Sequence, residues 1–258
     1  MGHLESQQFL IAASGLTWSA FAIAALMTFG AAYVRGLTGF GMAIILVPLL
    51  GMIIAPSQAV ILAIFLQFLI GPVGIRNSIA QAEKPSSYII AAVAVLATPL
   101  GLWLLSVTPP DTARILIAAI AIGAFILVIL PKSKHGRPGV PVTLLTGLSA
   151  GVLTGFAAMP GPPVVPYYLQ NAVTPNVARA SMMVIFYATA SAGTISALVG
   201  GFASIAMAAL SALLFIPMLI GNWLGGKMFG KVSPTIWRGG VAALLGVAGA
   251  SAVWRAFG

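Results

Sequence analysis

The chain has 258 residues, of which 60% are hydrophobic and only 6% are charged, and it carries 12 Lys and Arg against 3 Asp and Glu. A soluble domain has roughly a quarter charged residues, so this composition excludes a soluble globular protein and predicts a polytopic membrane protein. The net charge of +9 does not predict a nucleic-acid partner, because the basic residues lie between apolar runs and form no basic stripe.

Ten apolar segments follow one another along the chain, bounded by Gly, Pro or charged residues. Their approximate ranges are 10–34, 42–55, 57–75, 87–106, 112–131, 142–157, 162–173, 177–199, 202–226 and 236–255. Eight of them are long enough to cross a bilayer, which takes about 20 helical residues. Segments 42–55 and 162–173 have only 14 and 12 residues, so we expect two half-helices. The predicted fold is an all-α polytopic membrane protein with 8 to 10 membrane segments.

The two halves of the chain are related by an internal repeat. Thr38-Gly-Phe matches Thr154-Gly-Phe, and Pro48 matches Pro166, with further matches downstream in the same order. We therefore expect a single membrane domain over 1–258, with a first repeat at 10–131, a cytoplasmic linker at 132–141 and a second repeat at 142–258. Each repeat has about four transmembrane helices and one short half-helix.

Positive charge predicts the topology, because cytoplasmic loops are enriched in Lys and Arg. Most of the basic residues lie on the cytoplasmic side of the membrane if segment 142–173 enters and leaves the membrane on the same face. Those cytoplasmic residues are Arg76, Lys84, Lys132, Lys134, Arg137, Arg179, Lys227, Lys231 and Arg238. Each half then crosses the membrane an odd number of times, so the second repeat is inverted relative to the first. We expect a multi-pass protein of the cell inner membrane with both termini periplasmic or extracellular.

Each repeat contains a glycine- and proline-rich break inside apolar sequence, and we expect a binding site where the two breaks meet. Glycine permits positive φ and close approach, and a half-helix that starts at each break directs its N–H groups and positive dipole end inward. Two converging helix N-termini make an anion site without a buried arginine. Threonine hydroxyls would add donors, and phenylalanines would pack on an apolar tail. The candidate residues in the breaks are Thr38, Gly39, Phe40, Gly41, Thr154, Gly155, Phe156, Met159, Pro160, Gly161 and Pro162. The alternative is that the glycines only mediate close helix contacts.

Gln67 and Tyr187 occupy nearly matching places in apolar segments and complete the candidate substrate-binding set. Polar groups in spans face the bundle or a cavity, so a substrate contact and a simple interhelical hydrogen bond both remain open. The only acids are Glu5, Glu83 and Asp111, and both histidines lie in polar segments. The sequence therefore predicts no enzyme activity, no metal site, no cofactor and no proton relay built on buried acids.

The two motifs resemble those of the TauE/SafE family, also called the toluene-sulfonate uptake permease family, over nearly the whole chain. Gly36, Gly39, Gly41 and Pro48 carry the first motif, and the second is carried by Gly151, Gly155, Pro160, Gly161 and Pro166. The second copy is richer in proline, and Ala157 stands where the first copy has Gly41. The resemblance implies a transporter of sulfite, sulfonates or related anions.

From residues and resemblance together we expect a secondary transporter of a small organosulfur anion, working by alternating access around a midplane site. The other partners expected are membrane lipid and, as an open question, a second copy of the chain, with no nucleic acid. An anion channel and a non-transporting membrane scaffold are the alternatives. The coupling ion and direction stay open, with export down a gradient preferred.

Overall fold

The computed structural model describes residues 17–129, 138–170 and 173–228, and its regular structure there is helical throughout. The helices are α1 Trp18–Thr38, α2 Met42–Leu50, α3 Pro56–Ile70, α4 Ile75–Gln81, α5 Lys84–Val107, α6 Pro110–Ile129, α7 Val140–Ala157, α8 Gly161–Gln170, α9 Pro175–Val199 and α10 Ile205–Lys227.

Six of these helices are long and apolar enough to cross a bilayer, namely α1, α5, α6, α7, α9 and α10. A seventh span results if α3 and α4, which bend by 80° at a short break, are counted together. The described helices thus indicate a multi-pass membrane protein. The predicted eighth span, 236–255, and residues 132–137 of the predicted linker lie outside the described residues.

Helix α1 continues past the predicted end of its segment at residue 34. It runs through Thr38 and ends at Gly39, whose left-handed backbone (φ 84°) lets its N–H donate to the Arg35 carbonyl at 2.6 Å. A glycine in this conformation terminates a helix without the steric cost that a Cβ would bring. Arg35 and Gly36 are therefore helical rather than part of the break.

Two extensive helix pairs hold the first half of the chain to the second: α5 packs on α7, and α1 packs on α10. Glycines let both pairs approach closely. A Cβ on Gly151 or Gly155 would overlap backbone of α5, and one on Gly221 or Gly225 would overlap backbone of α1. Small residues are what allow membrane helices to pack at such short range. For Gly151 and Gly155 the structure therefore supports the close-contact alternative.

The half-helices α2 and α8 have 9 and 10 residues, so at 1.5 Å per residue each is about half a bilayer core long. Side chains anchor the C-terminal end of each. The Arg114 guanidinium donates to the Gly51 carbonyl after α2 at 3.3 Å. On α8, the Tyr168 hydroxyl lies 2.8 Å from that of Ser86. The N-terminal ends of both helices directly follow the two breaks.

Candidate functional site

The two breaks have different backbones. In the first, Gly39 and Gly41 both have positive φ, 84° and 90°. In the second, Thr154, Gly155 and Phe156 belong to the last turn of α7, which differs from the expectation that Thr-Gly-Phe itself is the break. The second break starts at Ala158, the one non-glycine residue with positive φ (58°) in the described ranges. Pro160 then keeps the preceding residue out of helical geometry.

A cavity lies where the two breaks meet. Its volume, measured as the space that the centre of a water-sized sphere can occupy, is about 30 Å³. This space exceeds what one water molecule needs. Seven of the predicted site residues line it. They are Phe40, Gly41, Gln67, Met159, Pro160, Gly161 and Tyr187. The other lining residues are Arg35, Met42, Ala43, Ile44, Gly71, Ala158, Met183 and Phe186. The structure thus brings both breaks, α3 and α9 to one site.

Arg35 is the cation of this cavity, and sequence reasoning missed it by expecting a site without a buried arginine. Its side chain is partly buried in the last turn of α1, and its Nη1 donates to the Asn222 side-chain oxygen of α10 at 2.9 Å. Among the described lining residues none is acidic. The signal was present, since a lone ionisable residue in an apolar segment next to a break is itself a functional indication.

The N-terminus of α2 supplies backbone donors at the same place. Met42, Ala43 and Ile44 form its first turn and line the cavity, and Gly41 offers no side chain to cap them. The first N–H groups of a helix have no partner within the helix and carry its partial positive charge. Helix α8 is a poorer donor, because positions 162 and 163 in its first turn are prolines. The two half-sites are therefore chemically unequal.

Gln67 joins the second break to α3. Its side-chain nitrogen donates to the Ala158 carbonyl at 3.0 Å and to the Ala63 carbonyl at 3.3 Å. The interhelical hydrogen bond is thus present, and Gln67 also lines the cavity, so a substrate contact of this residue stays a prediction. Tyr187 lines the cavity as well, and its ring stacks on Phe68 with centroids 6.1 Å apart.

The two threonines of the motifs direct their hydroxyls to their own helices. The Thr38 hydroxyl lies 2.9 Å from the Val34 carbonyl and 2.6 Å from the Phe40 carbonyl, and it accepts from the Phe40 N–H at 3.2 Å. The Thr154 hydroxyl donates to the Ala150 carbonyl at 2.7 Å and is fully buried. Neither residue lines the cavity, so in this conformation both threonines stabilise helix ends.

Four further predicted residues lie away from the cavity lining. Gly39 packs against the Arg179 side chain of α9, and Gly155 packs on α5. Phe156 is buried in the main hydrophobic core, whereas its counterpart Phe40 lines the cavity. Pro162 lies in the first turn of α8 without lining the cavity. A direct role of these four in binding stays a prediction.

Metal ligands are not gathered anywhere in the described ranges. Within residues 17–129, 138–170 and 173–228 no three His, Asp or Glu side chains come together, and the sequence has no cysteine. The groups that line the cavity are one guanidinium, backbone N–H groups, a phenol, and the Gln67 amide, whose nitrogen already donates to two carbonyls. The guanidinium and the N–H groups of a helix N-terminus are donors of the kind that bind anions.

Comparison with known proteins identifies one family. A family model described as "Sulfite exporter TauE/SafE" matches residues 24–252, which is nearly the whole chain and includes both breaks. No curated protein and no solved structure matches significantly.

Proposed function

The chain belongs to the TauE/SafE sulfite exporter family, and from this membership together with the cavity we propose that it is a membrane carrier for a small sulfur oxyanion. Proteins of this family are transporters rather than enzymes, and the six spanning helices fit that function. Sulfite and short sulfonates are the proposed substrates, and the cavity between the two breaks is the proposed site.

One observation carries the proposal: the space where both breaks meet is lined by a guanidinium and by the first turn of a helix, with no acid among its described lining residues. A sulfur oxyanion presents two or three oxygens to such donors. Charge-assisted hydrogen bonds from Arg35 are roughly twice as strong as neutral ones. The dipole of α2 adds a further favourable term for a negative ligand.

The dimensions of the cavity favour a small substrate. With about 30 Å³ for the centre of a water-sized sphere, sulfite or a two-carbon sulfonate fits better than an aryl sulfonate. Phe40, Met159 and Phe186 provide apolar contact for a short tail. We expect affinity to fall as the tail grows from sulfite through isethionate to toluene sulfonate.

We further propose that the two halves are inverted repeats that rock about this cavity in alternating access. In the repeat alignment α1 corresponds to α7, and α5 corresponds to α10. Exchanging the repeats therefore turns the contact of α5 with α7 into the contact of α10 with α1, which is the packing expected of a two-fold axis. The basic loops around Arg76 and Lys84 are assigned to the cytoplasm by their charge.

The test is transport of sulfite by purified protein in proteoliposomes, with Arg35→Gln as the decisive variant. We expect this variant to lose about tenfold or more of the initial rate, because a charge-assisted contact contributes roughly 1.5–3 kcal/mol. Arg35→Lys keeps the positive charge but loses the planar guanidinium with its several donors, so its initial rate is expected to lie between those of the wild type and Arg35→Gln. Arg76→Gln removes the same charge outside the cavity and serves as the matched control. Equal rates in Arg35→Gln and Arg76→Gln would refute the assignment.

Counterflow separates the carrier from the other two possibilities. Unlabelled sulfite inside the vesicles accelerates uptake of labelled sulfite through a carrier, because the loaded site returns faster than the empty one. An anion channel shows conductance without this acceleration. A non-transporting scaffold shows neither, so each result identifies one class.

A further inference from the structure

A second and larger space opens between α4 and α9, beside the cavity. It has a volume of about 410 Å³ and is called the vestibule below. Its lining is polar, with amides or hydroxyls contributed by both helices. The lining residues are Gly74, Asn77, Ser78, Gln81, Asn176, Arg179, Ala180 and Met183. Arg179 is the one charged side chain among them.

We propose that the vestibule is a second anion subsite, in which Arg179 binds the transported anion before it reaches the inner cavity. This inference rests on the proposed function and adds a route and a residue to it. The anion class is the same in both places, a small sulfur oxyanion.

The position of Arg179 connects the vestibule to the first break. A Cβ placed on Gly39 would lie 2.7 Å from Arg179 Nε and 2.9 Å from its Cγ, so the arginine side chain lies directly on the backbone of the break. Arg35 lies one helical turn before the same glycine, since its carbonyl accepts from the Gly39 N–H. Both arginines therefore contact the same glycine of the first break, Arg179 through its side chain and Arg35 through its backbone carbonyl. An anion at this break is attracted by more than one positive charge.

The vestibule and the cavity share one wall. Met183 lines both spaces, and its sulfur lies 3.6 Å from the Ser78 hydroxyl. An unbranched methionine changes rotamer at low cost, so its side chain can separate the spaces in one rotamer and join them in another. The vestibule is beside α4, which carries Arg76, and is thus on the face assigned to the cytoplasm.

The remaining lining groups carry no negative charge that would repel an anion. Asn77, Ser78, Gln81 and Asn176 are neutral, and the Asn77 oxygen already accepts from the Gln81 amide at 2.7 Å. The nearest acid along the chain, Glu83, is engaged at the start of α5, where its carboxylate accepts from the Ser86 N–H at 3.0 Å. One cation within neutral donors concentrates anions from the adjoining water.

The absence of cysteine from the sequence makes a direct test available. Asn77→Cys places the only thiol of this chain at the exposed rim of the vestibule. Its labelling rate is measured with two methanethiosulfonates, an anionic sulfonatoethyl reagent and a cationic trimethylammonioethyl reagent. We expect the anionic-to-cationic rate ratio to exceed that of free 2-mercaptoethanol about tenfold. Arg179→Gln in this background is expected to abolish the excess, and Arg179→Lys to retain it.

Lys227→Gln is the matched control, because it removes one positive charge at the end of α10, outside the vestibule lining. It should leave the labelling ratio within twofold. If Arg179→Gln does not fold, high salt applied to Asn77→Cys replaces it, since screening removes the same attraction. A ratio equal to that of the free thiol at low salt, or one insensitive to both changes, overturns the proposal.

Transport kinetics show whether Arg179 binds the anion at a defined subsite or only attracts anions from the surrounding water. Arg179→Gln is expected to raise the KM for sulfite about tenfold at nearly unchanged maximal rate, whereas Arg35→Gln lowers the maximal rate. An unchanged KM in Arg179→Gln overturns the subsite. If the wild-type protein transports no sulfur anion but labelling still depends on Arg179, the proposed function fails and the anion subsite stands.

Discussion

Gly155 was predicted to bind substrate, but the structure places it in the contact between α5 and α7, and the two roles give opposite experimental results. A Cβ on Gly155 would overlap the Thr98 carbonyl oxygen and the Leu102 nitrogen, and it would lie 2.7 Å from the Gly101 carbonyl carbon. All three are backbone atoms that cannot rotate away. Gly155→Ala therefore requires the two helices to separate.

Overpacking of this kind costs about 1–3 kcal/mol. At roughly 2–4 °C per kcal/mol for a chain of this size, the melting temperature in detergent should fall by about 2–12 °C. Gly30→Ala is the control, because a Cβ there meets nothing within 4 Å on the same type of helix. It should leave the melting temperature unchanged or raise it slightly, since alanine is the better helix former.

The assay is thermal unfolding of purified protein followed by intrinsic fluorescence, with and without sulfite. In Gly155→Ala we expect a lower melting temperature and an unchanged increment on adding sulfite. A normal melting temperature combined with loss of the sulfite increment would refute the packing role and restore the predicted binding role.

Three further predictions concern the hydrogen bonds that hold the breaks and the half-helices. Thr38→Val removes the hydroxyl that bridges α1 to the Phe40 backbone and should cost about 1–2 kcal/mol in thermal unfolding, whereas Thr38→Ser should be near wild type. Gln67→Leu leaves the Ala158 carbonyl without its side-chain donor, and we expect a loss of about 1–3 kcal/mol together with a lower transport rate. Tyr168→Phe deletes the hydroxyl bond at the C-terminal end of α8 and should cost about 1 kcal/mol in unfolding while transport in proteoliposomes retains its KM.

Local chemistry explains why the helix pattern was predictable. The half-helices start at Met42 and Gly161, within one residue of the predicted positions 42 and 162, because glycine and proline determine backbone conformation over one or two residues. The predicted segments 87–106 and 177–199 likewise agree with α5 and α9 to within a few residues. Inside a bilayer an apolar segment must satisfy its own backbone hydrogen bonds, and the α-helix is the conformation that does so.

The composition of the site was less predictable, because it depends on distant pairings. Thr38 and Thr154 were expected to donate to substrate, yet a threonine in a helix has a carbonyl one turn back within reach, and both use it. Arg35 reaches Asn222 only because α1 packs on α10, and Arg179 reaches Gly39 only because α9 crosses the first break. Sequence spacing does not reveal such contacts.

The bond between Arg35 and Asn222 has a consequence for biosynthesis, since its partners are 187 residues apart. At about 5–20 residues per second, a ribosome needs roughly 10–40 s to make the chain between them. During this interval α1 is in the bilayer with its arginine and its backbone contact surface unpartnered. Helix α10 therefore completes the packing of α1, and a nascent chain that stops before α10 leaves a charged, unassembled helix for quality control to recognise.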